Sequence, residues 1–300
     1  MIKEIRTKTI LNQVKQPEPY FGLKYNMNLY RGCQHQCIYC DSRSECYQIE
    51  DFAEIHVKVN AIDLLTDVLP RKRVRGTIGF GSMNDTYMPV ERKYQMTRRA
   101  LELVAQHHFP VHIVTKSDLV LRDIDLLQEI SKVYAAISFT ITTIDDALAN
   151  RVEPGAPTSS SRFRAMRALA DAGVLTGLTM MPILPFIEDT VENITGLVEM
   201  AHNSGASYIL PWFGMSLRVG SRDYYYEKLD QLFPGIKKEY IRQFGGRYEC
   251  NSPHWHKLDD VFQKLVYSYR IPTQMPIFTP HRIGKAEKIE KQLYLFGEGD

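Results

Sequence analysis

Between Tyr25 and Trp212, short β-branched and aromatic runs alternate with longer stretches of helical period. The strand-like runs are Tyr25–Tyr30, Gly76–Gly81, Val111–Thr115, Tyr134–Ile141, Val174–Met181 and Ser207–Trp212. Helical patterning covers Ala61–Leu69, Glu91–His107, Asp123–Ser131, Ser159–Ala172 and Thr190–Asn203, with glycines at 173 and 205 as stops. Such alternation builds parallel βαβ units, since a parallel return needs a crossover long enough to hold a helix. Six strands are too few for a closed eight-fold barrel. The expected fold is therefore α/β, a partial (β/α)6 barrel of the TIM type. Residues 1–24, polar and carrying Pro17 and Pro19, read as an N-terminal extension, and 25–212 as the barrel. Residues 213–300 lose the alternation and read as a mostly helical and irregular C-terminal extension. Helices are expected there over Ser221–Leu232 and Leu258–Tyr269, ahead of the proline-rich run Ile271–Pro280.

Chemistry concentrates in the loop after the first strand. Cys33, Cys37 and Cys40 lie in Arg-Gly-Cys-Gln-His-Gln-Cys-Ile-Tyr-Cys-Asp, a CxxxCxxC spacing with the aromatic Tyr39 just before the last thiol. A disulfide framework would use even counts and wider spacings, whereas this chain has 5 cysteines with three of them crowded together. Three close thiolates can hold three corners of a 4Fe–4S cubane and leave the fourth iron without a protein ligand. His35, within the same loop, could instead complete a zinc site with the thiolates, which would make the chain a zinc-bearing nucleic-acid-binding module. Cys46 and Cys250 read as ordinary thiols. In barrels of this kind chemistry sits on loops at the C-terminal ends of strands, where the cysteine loop falls.

These residues resemble the radical S-adenosylmethionine superfamily, and more narrowly its spore photoproduct lyase-like (DNA repair photolyase-like) group. The resemblance covers roughly residues 25–212. It rests on Asn28-Leu29-Tyr30-Arg31-Gly32-Cys33, Thr115-Lys116-Ser117 before Leu121-Arg122-Asp123, Glu153-Pro154-Gly155-Ala156-Pro157, and Met181-Pro182-Ile183-Leu184-Pro185. It implies Cys33, Cys37 and Cys40 as cluster ligands and S-adenosylmethionine as the cofactor on the open iron. An external electron donor of flavodoxin or ferredoxin type would drive reductive cleavage to a 5′-deoxyadenosyl radical. It further implies cofactor contacts from Tyr39, from Asn84 at its amino or carboxylate end, from the point charge of Lys116 at its carboxylate, and from the Ser138 hydroxyl. Nucleic acid is the substrate class implied, with a peptide or small metabolite as the rival, because fold and cluster do not choose the substrate. One position departs from the group: spore photoproduct lyases carry a hydrogen-donating cysteine just after the second strand, and here the matching residue is Ser82.

Other signals are weaker. The formal charge of +2 does not announce a nucleic-acid binder. Basic runs at Arg71–Arg75, Arg162–Arg167 and Arg282–Lys291, with aromatics at Tyr224–Tyr226 and Trp255, could contact phosphates and bases or be solvated faces. Cys250, His254 and His256 form a possible zinc cluster. Gln292, Leu293, Leu295 and Phe296 resemble the peptide by which bacterial DNA-metabolism proteins dock on the sliding clamp. No apolar run reaches membrane-spanning length and Met-Ile-Lys-Glu-Ile-Arg is no signal peptide, so the expected location is cytoplasmic, with no membrane partner.

Overall fold

The computed structural model describes residues 1–15, 20–49 and 51–279. Its strands are β1 (Ile2–Ile5), β2 (Leu11–Gln13), β3 (Tyr25–Met27), β4 (Tyr30–Arg31), β5 (Ile55–Lys58) and β6 (Ile78–Phe80), followed by β7 (Val111–Thr115), β8 (Ala135–Thr140), β9 (Leu175–Met180), β10 (Ile209–Pro211), β11 (Gly214–Ser216) and β12 (Glu249–Asn251). β3 and β6 to β10 pair in parallel in chain order, and β2 adds antiparallel to β3. This is the expected partial barrel. Its outer face is apolar because residues such as Ile113, Ile137, Phe139 and Leu178 point to the crossover helices.

Those helices are α1 (Ala61–Val68), α2 (Glu91–Tyr94), α3 (Met96–Gln106), α4 (Ile124–Ser131), α5 (Asp146–Val152), α6 (Ser159–Asp171) and α7 (Val191–Asn203). Side-chain oxygens of Asp145, Thr158 and Thr190 cap the amides that open α5, α6 and α7. The single helix expected over Glu91–His107 is two. Gln95 adopts a left-handed conformation (φ 49°), and the Glu91 carboxylate turns back to accept from the Thr97 amide at the start of α3.

The first strand is also shorter than its run of side chains suggests. After Met27 the chain leaves the main sheet, and Tyr30 and Arg31 pair antiparallel with β5 in a second small sheet. The N-terminal residues do more than cover the domain: β1 runs parallel to β5, and β2 extends the main sheet. The barrel interior is filled. Phe21 stacks on His112 with centroids 4.4 Å apart, and the Tyr208 ring occupies the space beside Gly177, where a β-carbon would meet it at 2.2 Å. With its interior packed, the barrel leaves room for chemistry at its rim. Beyond β10 come the antiparallel pair of β11 and β12, with helices α8 (Ser221–Leu232) and α9 (Ile236–Phe244) between the two strands, and then α10 (Trp255–Tyr269).

Candidate active site

The short β4 turns the chain into the cysteine loop, and Gly32 makes the turn possible. Its φ is +77°, and a β-carbon there would lie 2.5 Å from the Glu54 carbonyl oxygen. The loop is then held from the far side by the segment after α5. Ile38 donates its amide to the Val152 carbonyl at 2.9 Å, and Gly155 donates to the His35 carbonyl at 2.9 Å. Gly155 passes so close that a β-carbon would meet the Gln34 carbonyl oxygen at 2.0 Å. That explains the Glu-Pro-Gly-Ala-Pro run: it is the clamp on the loop.

Cys33, Cys37 and Cys40 line one pocket with Gly81, Ser82, Asn84, Asp85, Lys116 and Thr140. All these rim residues follow or end strands β6, β7 and β8 on their C-terminal side. Burial pushes the Cys33 thiol up to about 12 and raises Cys37 and Cys40 as well, so the pocket suits thiolates only when positive charge offsets them. Lys116 supplies some of that charge. Burial opposes its protonation, but Cys37 and Glu153 outweigh the penalty and raise its pKa.

Glu153 is the hub behind the loop. It accepts a hydrogen bond from the Tyr39 hydroxyl, lies 2.5 Å from the Arg162 guanidinium and 3.9 Å from the Lys116 ammonium. Burial would raise its pKa, yet Arg162 and Lys116 prevail and hold it below the usual carboxylate range. Arg162 also donates to the Thr140 and Pro157 carbonyls at 3.0 and 2.9 Å. Asp85 plays the matching part on the other side. It accepts from the Thr115 hydroxyl at 2.8 Å and the Lys116 amide at 2.6 Å, and lies 3.1 Å from His35 Nε2. His35 outweighs the burial of Asp85 and brings its carboxyl down to about 2.

The expected cofactor contacts divide. Asn84 and Lys116 stand in the cysteine pocket, and Asn84 Nδ2 donates to the Tyr30 carbonyl at 2.8 Å. Tyr39 turns its hydroxyl to Glu153, with the Lys116 ammonium 5.7 Å from its ring centre. Ser138 lies deeper, fully buried inside the barrel, its hydroxyl 2.7 Å from His112 Nε2 and 2.6 Å from the Tyr208 hydroxyl. The inward residue two places further along β8, Thr140, reaches the pocket instead. Ser82 lines it too, bonded to Asn26 and Asn28.

The zinc alternatives do not survive the geometry. His35 is occupied by the Gly155 carbonyl and Asp85, and Cys250 points into the core with a contact to the Arg247 carbonyl. Among the described residues no group of three or more Cys, His, Asp or Glu converges on a single ion. Three soft donors lining one pocket would suit a cubane, with each thiolate on a different iron. The basic runs change meaning as well. Arg162 is buried in an ion pair, and Arg71–Arg75 precede β6 at the opposite end of the barrel from the cysteines. The sliding-clamp motif at Gln292, Leu293, Leu295 and Phe296 lies outside the described residues.

Residues 27–198 match the model of the Radical SAM superfamily, and the chain belongs to that family. Enzymes of this superfamily carry out radical chemistry with a 4Fe–4S cluster and S-adenosylmethionine. An uncharacterized protein of Methanocaldococcus jannaschii is 34% identical over 198 residues, spanning 65% of this chain and 72% of that protein. An uncharacterized protein of Mycobacterium tuberculosis is 28% identical over 277 residues, 89% of this chain and 81% of its own. The fold is similar to spore photoproduct lyase complexed with dinucleoside spore photoproduct, with a TM-score of 0.66 and 15% identity over 89% of this chain and 79% of that one. A variant of that lyase with bound AdoMet and the dinucleoside gives 0.65 and 16%, covering 89% and 78%.

Proposed function

We propose that the chain is a radical enzyme that reductively cleaves S-adenosylmethionine to a 5′-deoxyadenosyl radical and abstracts hydrogen from a carbon of its substrate. The observation that carries the reading is the convergence of Cys33, Cys37 and Cys40 with Lys116 and Asn84 in one pocket at the barrel rim. In this reading the three thiolates hold the cluster, Lys116 neutralises a carboxylate and Asn84 orients the polar end of the cofactor. Glu153 and Asp85 keep Lys116 and the cysteine loop in place, and Tyr39 shields the loop from water. The electron comes from an external flavodoxin- or ferredoxin-type donor, and the enzyme acts in the cytoplasm. No described helix is long and apolar enough to cross a membrane.

The substrate class in the first reading is nucleic acid, with lyase or DNA-repair chemistry like that of the spore photoproduct lyase group. Docking on the sliding clamp through the 292–296 segment would suit that role. With Ser82 in place of a cysteine, the strong O–H bond of serine cannot return a hydrogen atom to the product, so a different donor is required. A peptide or small metabolite is the second reading. It is favoured by the basic run Arg71–Arg75 lying away from the rim and by the burial of Arg162. The test is anaerobic reconstitution followed by dithionite and S-adenosylmethionine. 5′-Deoxyadenosine should form, and deuterium should pass into it from a labelled substrate of the correct class. A protein with a full cluster that forms no 5′-deoxyadenosine refutes the reading.

A further inference from the structure

A cavity of about 600 Å³ opens beside the C-terminal ends of β9 and β10 and is walled by Tyr20, Trp212, Phe213 and Trp255. Its polar groups come in two pairs set by secondary structure. Glu249 and Asn251 stand on one face of β12, two residues apart, while Cys250 between them points to the core. Trp255 and Asp259 stand one turn apart on α10. Trp212 Nε1 donates to Asn251 Oδ1 at 3.1 Å, which fixes the indole against the wall.

The charge of this lining is one-sided. Among the described residues two carboxylates line the cavity and no lysine or arginine does, while the His256 ring stacks on Trp255 with centroids 3.5 Å apart. Asp259 accepts a bond from Gln263 at 3.1 Å, and among the described residues Glu249 has neither an ion pair nor a side-chain hydrogen bond. A phosphodiester would be repelled here. Aromatic walls with carboxylates that make no ion pair instead attract an organic cation, whose charge is stabilised by ring faces and neutralised by the acids.

We propose that this cavity binds an ammonium or guanidinium group of the substrate, such as a lysyl or arginyl side chain, at the rim that also carries the cysteine pocket. As a substrate site it rests on the radical reading above and favours its peptide or metabolite branch. The protein contains 2 tryptophans, Trp212 and Trp255, and both line the cavity, so intrinsic emission reports on it directly. The full-length protein, with and without reconstituted cluster, is titrated with Nα-acetyl-lysine methylamide and Nα-acetyl-arginine methylamide. Nα-acetyl-glutamine methylamide and thymidylyl-thymidine serve as the neutral and anionic probes. A saturable emission change is expected with a cationic probe alone, weakened about tenfold by Glu249→Gln with Asp259→Asn. Equal response to the neutral probe, response to the dinucleotide alone, or no response to any probe would overturn the assignment. Formation of 5′-deoxyadenosine is measured in parallel. A dead cluster with intact cation binding counts against the radical reading only, and the reverse against the cavity only.

Discussion

The Arg162 guanidinium lies 2.5 Å from the Glu153 carboxylate, and both side chains are 1% exposed. Two charges so deeply buried survive because each is satisfied: Arg162 by carbonyls of Thr140 and Pro157, Glu153 by Tyr39 and Lys116. The pair joins β8, α6 and the clamp segment to the back of the cysteine loop.

Removing one partner should therefore be severe. Arg162→Met is expected to cost about 3–5 kcal/mol in denaturant unfolding, because it strands a buried carboxylate. Adding Glu153→Gln to it should recover part of that loss, since the stranded charge disappears. A double variant no more stable than Arg162→Met would refute the stranded-charge account.

Replacing a thiol should separate fold from chemistry. Cys37→Ala leaves the packing of the barrel untouched but removes one of the three donors. The purified, reconstituted variant is expected to lose most of the roughly four irons and four sulfides per chain expected of the parent. It should form no detectable 5′-deoxyadenosine while its circular dichroism matches the parent. Retention of a full, redox-active cluster would remove Cys37 from the ligand set.

The barrel and the cysteine loop were legible because both are local patterns. Strand alternation and thiol spacing need no knowledge of distant contacts. What could not be read were the long-range partners. Glu153 sat in plain view within Glu-Pro-Gly-Ala-Pro, but its partners Tyr39 and Arg162 lie 114 residues before it in the chain and beyond the following loop. Arg162 looked like one of several solvated arginines because periodicity reports a helix face, not its charge partner. Ser138 lies two residues deeper than the pocket, bonded to Tyr208, and the β8 hydroxyl that lines the rim is that of Thr140, a difference of depth that strand patterning does not report. β1, β2, β5, β11 and β12 were not legible because each has only three or four residues and none belongs to the strand–helix alternation that exposes the equally short β3, β6 and β10.

Lys116 offers a sharper test of cofactor binding. Its ammonium sits in the cysteine pocket with part of its surface still open, the side chain 17% exposed. If it pairs with the cofactor carboxylate, Lys116→Met should raise the KM for S-adenosylmethionine about 10- to 100-fold, the loss of one charge-assisted bond of about 1.5–3 kcal/mol. Cluster content should stay near that of the parent. An unchanged KM would leave Lys116 as a support for Glu153 alone.

Glu188 gives a prediction for stability against pH. Burial pushes its carboxyl up to about 8, against the opposing hydrogen bonds from the Leu184 amide and the Thr142 hydroxyl, with Glu153 and Asp189 adding to the rise. In the unfolded chain the same group titrates at about 4.3. Below that value both states hold the proton and the group favours neither. As pH rises towards about 8, the unfolded chain ionises first while the folded chain keeps its proton, so folding loses up to about 1.4 kcal/mol per pH unit from this group. Above the folded value the loss is complete. Glu188→Gln removes the titration but not the shape, with a constant offset from the amide facing Leu184. Urea unfolding at a series of pH values from acidic to mildly alkaline should show the variant gaining steadily on the parent as pH rises. A difference between the two that does not move with pH would mean that Glu188 is ionised in the folded protein.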